Sequence, residues 1–249
     1  MKLALLIPST SRGRDEWKSV EDTYLWNFTI STFLKTLDTE HEYSFYIGVD
    51  DDDRIYSTEE CKNFFADKLK DTGVNIEFIS MSGITKGHLT VMWNRLFKKA
   101  YDDGYDYFFQ CGDDISFKTT GWVNSCIEVL ARNKDIGLAG PINNNSRILT
   151  QAMVSRKHME IFGWFFPEEI INWCCDDWYN WVYQPKYFFP LKEHFCSNDG
   201  GNPRYVVNND PRFLSSRLIA HKNVTELRKK TLELALSHQA LIEKYIREH

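Results

Sequence analysis

The sequence predicts an α/β fold, with a mostly parallel central sheet flanked by helices and an amphipathic helix at the C-terminus. Three observations carry this prediction. Short apolar runs alternate with helix-period stretches from Leu3 to Ala139, giving a β-α-β-α-β-α-β order. The 249 residues, 43% of them hydrophobic, can fill one sizeable core, so a single domain is the default. From Val224 to Glu248, Leu227, Leu234 and Leu241 recur in register on one helix face.

The elements follow in order. Leu3 to Ile7 is a short strand stopped by Pro8, and Ser9 to Arg14 is a polar loop. Val20 to Leu37 is helical, with Ile30, Phe33, Leu34 and Leu37 on one face. Tyr43 to Val49 is a second strand, ending in Asp50-Asp51-Asp52-Asp53. Thr58 caps a helix running to Asp71, and Val74 to Ser80 is a third strand. His88 to Tyr101 follows the helical period most closely, through Leu89, Met92, Trp93, Leu96, Phe97 and Ala100. The strand Tyr105 to Phe109 comes next, then a helix from Trp122 to Arg132 and a strand from Ile136 to Ala139. Beyond that the pattern is aromatic and irregular. Asp176 to Tyr183 reads as a short helix, and Tyr187 to Phe195 as a strand broken by Pro190.

Composition excludes several classes. The net charge of −5 and the lack of a basic tract argue against nucleic-acid binding; Arg228-Lys229-Lys230 reads as a solvated helix face. Six cysteines are scattered without a Cys-x-x-Cys pair, which disfavours structural zinc and fits a reducing compartment. The N-terminal apolar run is too short for a signal peptide, and no window reaches membrane-spanning length. The expectation is a soluble, cytoplasmic protein with no membrane span. Aromatics make up 15% of the chain, enough for a ring-rich core and for rings lining a ligand cleft.

The chemistry concentrates at strand ends. Gln110-Cys111-Gly112-Asp113-Asp114 follows the aromatic strand, so two carboxylates leave the edge where open α/β sheets bind ligands. Hard divalent cations take oxygen ligands and commonly join one or two carboxylates to a substrate's phosphates. No Gly-x-Gly-x-x-Gly, P-loop or Gly-x-Ser-x-Gly sequence is present, which removes dinucleotide-binding, P-loop and α/β-hydrolase readings. The sheet presents acids at its strand ends. Acids meet phosphates only through a cation, or else contact base and ribose.

Four pieces, in order, resemble the GT-A class of nucleotide-diphospho-sugar glycosyltransferases, a Rossmann-like fold, in its inverting family 2-like form. They are Leu6-Ile7-Pro8-Ser9-Thr10-Ser11-Arg12, Tyr46-Ile47-Gly48-Val49-Asp50-Asp51-Asp52, Lys86-Gly87-His88 with Trp93-Asn94-Arg95, and Gly112-Asp113-Asp114. The resemblance runs from Leu3 to about His221. It implies a glycosyltransferase domain over 1–223, with a nucleotide-binding half (1–115), an acceptor half (116–223), and a packed helix over 224–249. It further implies a UDP- or GDP-type sugar donor and a glycan or other hydroxyl acceptor. Pro8, Thr10, Arg12, Asp50, Asp52, Lys86, Asn94 and Asp113 would bind the donor. Asp114 and a late histidine, His194 ahead of His221, would hold Mn²⁺ or Mg²⁺. The family motif usually places an acid two residues before its last Asp; here that position is Gly112.

Phe162-Gly163-Trp164 to Asn172-Trp173-Cys174-Cys175-Asp176-Asp177 resembles the acceptor half of inverting members, where an acid at a helix start is the general base. Asp177, ahead of Asp176, is the expected base. The polar loop Ser197 to Tyr205, bearing Arg204, reads either as a lid over the donor or as an ordinary surface loop. Three other readings share these features. A sugar-phosphate nucleotidyltransferase would open with a glycine-rich basic loop, and here that loop has only Gly13. A non-catalytic sugar-nucleotide-binding protein would keep the fold without turnover. A metal-dependent phosphoesterase would share the acidic strand ends.

Overall fold

A computed structural model describes residues 1–201 and 224–249. Its strands are β1 (Lys2–Ser9), β2 (Glu42–Val49), β3 (Val74–Ser80), β4 (Tyr107–Gln110), β5 (Ile115–Phe117), β6 (Leu138–Ile142), β7 (Ala152–Ser155) and β8 (Phe188–Asn198). They form one sheet in the order β3-β2-β1-β4-β7-β6-β8-β5. The helices are α1 (Ser31–Lys35), α2 (Glu59–Leu69), α3 (Leu89–Asp102), α4 (Trp122–Arg132), α5 (Lys157–Phe162), α6 (Cys175–Tyr183) and α7 (Val224–Glu248).

The first four strands pair in parallel, as the alternating pattern predicts. Because parallel strands need crossover helices, both faces of this half are covered. Alternate residues of β1 divide between two cores accordingly. Leu3, Leu5 and Ile7 pack with Phe33, Phe109 and Trp122 on one face. Ala4 and Leu6 pack with Met92, Leu96 and Phe108 on the other.

The second half is mixed. β7 runs antiparallel to β4, β6 meets β7 antiparallel, β8 runs parallel to β6, and β5 is antiparallel to β8. Three of these elements are additions to the sequence reading: β5, β7 and α5. β8 also runs unbroken through Pro190, which pairs with Gly140; the irregularity falls instead between Pro141 and Ile142.

The expected helix over Val20 to Leu37 is three pieces. A 3₁₀ turn (Val20–Asp22) precedes a π turn (Leu25–Ile30), and α1 completes the segment. Such wide turns usually serve a local requirement. Here the segment presents Thr29 and Thr32, whose hydroxyls accept from Ile115 N at 3.1 Å and Phe117 N at 2.9 Å. At α2, Thr58 is the predicted cap, accepting from Cys61 N at 3.2 Å.

Helix α7 docks on α6. Trp178 Nε1 donates to His238 Nδ1 at 3.2 Å, and Gln239 Nε2 donates to the carbonyls of Trp181 and Gln184, each at 2.9 Å. Its buried residues are Leu227, Thr231, Ala235, Ile242 and Tyr245. Leu241 is exposed, because a strict seven-residue spacing drifts about 20° per heptad around a straight helix. No helix among the described residues is long and apolar enough to cross a membrane.

Candidate active site

A cavity of about 760 Å³ opens beyond the carboxyl ends of β1 and β4, within the size range of small-molecule sites. Pro8, Thr10, Arg14, Asp114, Arg147 and Asp176 are among its lining residues. It thus joins residues from both halves of the sheet.

The acidic turn after β4 is held from several sides. Asp113 is fully buried and accepts from Ser9 Oγ at 2.6 Å, tying the ends of β1 and β4 together. Asp114 O accepts from Asp199 N at 2.9 Å, and Thr29 Oγ1 reaches Gly112 O at 3.4 Å. The Asp114 carboxylate lies between two glycines. A Cβ on Gly112 would stand 2.5 Å from Asp114 Oδ1, and one on Gly200 would stand 2.1 Å from Oδ2. The departure at Gly112 therefore has a steric reason: any side chain there would displace the carboxylate that faces the cavity.

The loop after β1 divides between structural and cavity-facing roles. Pro8 and Thr10 line the cavity, but Arg12 is exposed and Arg14 lines the cavity instead. Arg14 stacks over Tyr24, its guanidinium 5.4 Å from the ring centre. The loop is organised by Asp53, which the sequence reading passed over. Buried Asp53 accepts from Thr10 Oγ1 (3.0 Å), Ser11 N (2.7 Å), Ser11 Oγ (2.9 Å), and the amides of Ile55 and Tyr56 (both 3.0 Å). Asp50 is buried outside the cavity lining, and its carbonyl accepts from Asp53 N at 3.0 Å. Asp52 is exposed and ion-paired with Lys86, which holds its carboxyl below the usual range. Asn94 is taken up by structure. It accepts from the amides of Phe165 and Phe166 at 3.0 and 2.8 Å and donates to Phe166 O at 2.8 Å, fixing the turn after α5 to α3.

Ahead of α6, Cys174 adopts a left-handed conformation (φ 69°) that turns the chain into the helix. The first turn of α6 then carries both acids. Asp176 lines the cavity, while Asp177 is buried and points to two arginines. Arg147 Nη1 lies 3.3 Å and Arg228 Nη2 3.1 Å from Asp177 Oδ1. Arg228 is thus an ion-pair partner, not part of a merely solvated face. Asp176 Oδ1 accepts from Asp177 N at 3.0 Å. Burial and the neighbouring Asp177 charge push the Asp176 carboxyl up to about 7. Burial also raises Asp177, against the opposing pull of Arg147.

Helix α6 is tied to the sheet by buried polar contacts. Tyr179 OH lies 3.2 Å from both Gln110 Oε1 and Leu149 O, and Asn180 Nδ2 donates to Leu149 O at 2.7 Å. His194 does not line the cavity; its Nε2 lies 2.8 Å from Ser125 Oγ on α4. His221 and Arg204 lie outside the described residues. Among the described residues, no group of three or more His, Cys, Asp and Glu side chains is disposed to hold a metal. The described carboxylates lining the cavity are Asp114 and Asp176.

No family model matches the chain, and no curated protein sequence matches it. Solved structures of S. aureus TarS do match in fold. TarS residues 1–349 in complex with UDP-GlcNAc gives a TM-score of 0.55 at 12% identity, over 96% of this chain and 72% of that one. The UDP complex gives 0.51 at 11% identity, over 79% and 60% respectively. A longer TarS structure gives 0.51 at 11% identity over 78% of this chain, which spans 36% of it. Together with the strand order, these matches identify the fold as GT-A-like.

Proposed function

We propose that the protein is a glycosyltransferase that moves a sugar from a nucleoside-diphosphate donor to an acceptor hydroxyl with inversion. The observation that supports this most directly is the placing of two carboxylates in one cavity at the strand ends: Asp114 after β4 and Asp176 at the start of α6. The GT-A-like fold and the UDP and UDP-GlcNAc complexes of TarS favour a UDP-type donor.

Each residue has a physical role in this reading. Pro8, Thr10 and Arg14 receive the nucleotide end, and Arg14 brings positive charge to the donor. Asp53 and Asp113 hold the loops that shape this end. Asp114 would hold Mn²⁺ or Mg²⁺ together with the donor's phosphates. When bound, the cation offsets the charge that develops on the departing diphosphate. Asp176 removes the proton from the attacking hydroxyl. A carboxyl raised to about 7 suits that task, since base catalysis is most effective near the operating pH. Asp177, engaged by Arg147 and Arg228, keeps a negative charge beside Asp176 and positions it.

Calorimetry with UDP, UDP-GlcNAc and GDP-sugars, with and without Mn²⁺, tests the donor assignment. Wild-type protein should bind at least one of these, and Asp114→Asn should lose the Mn²⁺-dependent part. Nucleotide binding unaffected by both Mn²⁺ and this substitution would remove Asp114 from the site.

A further inference from the structure

The acceptor end of the cavity has a composition distinct from its donor end, and this bears on what it takes. Trp173 lines the cavity yet is 47% exposed, the most exposed aromatic ring among the described large hydrophobics. It lies just before the left-handed turn at Cys174 and three residues before Asp176, so one short segment carries both ring and base. Asn143 also lines the cavity. It is only 8% exposed, and its Oδ1 accepts from Asn145 N at 2.7 Å, but its Nδ2 has no partner. A buried amide donor left without a partner is costly, and a ligand oxygen is one way to satisfy it. Gln110 and Gln151, both nearly fully buried, add further neutral amides to the lining. Among the described residues, the cation lining this end is Arg147, which lies against Asp177.

Building on the glycosyltransferase reading, we infer that the acceptor is a neutral carbohydrate, held with the C–H face of one sugar ring on Trp173 and a hydroxyl accepting from Asn143 Nδ2. A pyranose presents the two surfaces this wall complements: an apolar face for the indole and a rim of hydroxyls for amides. An anionic acceptor would call for uncommitted cations here, and an acyl or lipid acceptor for an apolar wall. The neighbouring Asp176 then meets a hydroxyl of the stacked ring.

Saturation-transfer NMR on the full chain tests this, with cellotriose, maltotriose, chitotriose and glucose phosphate as probes, each with and without UDP. Calorimetry with UDP runs in parallel. At least one neutral trisaccharide should bind, with strongest transfer to ring C–H protons. Trp173→Ala should weaken it about tenfold, Trp173→Phe should retain most of it, and UDP binding should be unchanged. Asn143→Leu should weaken the same sugar. Sugar binding without UDP binding would support the carbohydrate wall while removing the donor assignment. UDP binding with no trisaccharide bound, equal binding by Trp173→Ala, or preference for glucose phosphate would each overturn the inference.

Discussion

Asp176 and Asp177 are chemically identical neighbours, and their surroundings separate them. Asp177 meets two guanidinium groups, whereas Asp176 meets the cavity and its neighbour's charge. In its proposed role as base, Asp176 would act only when ionised, so transfer should rise as pH increases through about 7. Asp176→Asn should lower turnover by about 10²–10⁴-fold while leaving UDP binding intact. The same group carries a stability cost. Between about pH 4 and about pH 7 the folded protein retains a proton that the unfolded chain has released, so stability falls as pH rises across that window. Thermal melts at pH 8 should therefore show Asp176→Asn more stable than wild type. Asp177→Asn removes the adjacent charge, and the rising limb of its pH profile should move to lower pH. An unmoved limb would assign that limb to another group. The sequence shows the acid pair but not which member faces the cavity, because the Cys174 backbone turn sets that orientation. The strand-end position of Asp114 was legible, since it depends only on finding β4.

At the scale of elements, legibility follows periodicity. α3 buries one stripe against a two-sided sheet, so its sequence shows the helical period and its bounds are nearly those predicted. β5 and β7, with three and four residues, are too short to show any period, and their residues are buried throughout. The turn before β5 and the turn after β8 enclose the Asp114 carboxylate. Gly200→Ala would drive a methyl group into the Asp114 carboxylate and should cost Mn²⁺-dependent donor binding while circular dichroism stays native. If that variant binds donor with unchanged affinity, the glycine pair has no role in placing Asp114. α5 contributes a different control. His158 is fully enclosed, between Tyr183 OH at 2.8 Å and Phe165 O at 3.0 Å, and burial depresses it to about 4. The unfolded chain takes up a proton there near pH 6.5, so native stability should decline as pH falls from about 6.5 to about 4. Urea melts of His158→Gln should show a shallower decline in that range.

At the scale of the molecule, α7 is tied to α6, the helix whose first turn carries both acids. It places Arg228 on Asp177 and covers Trp178. Ala235 is fully buried on this helix, so Ala235→Asp puts an unpaired charge into an apolar contact, a change costing about 3 kcal/mol or more. The melting temperature should fall. The pH dependence of transfer should also move, because Arg228 leaves with the helix. A lowered melting temperature with an unaltered pH profile would show that α7 acts only as a cover. The sequence announces the helix, but the ion pair joins residues 51 positions apart, a separation that no local pattern encodes.

The change of strand direction between β4 and β7 has an evolutionary consequence. In the proposed reading, the donor would be met by loops rooted in the parallel half of the sheet and the acceptor by the segment between β6 and α6 on the mixed half. On that reading, insertions or exchanges in that segment would retarget the acceptor while the proposed donor end stays intact. Diversity among proteins built on this plan should therefore accumulate on one side of the boundary.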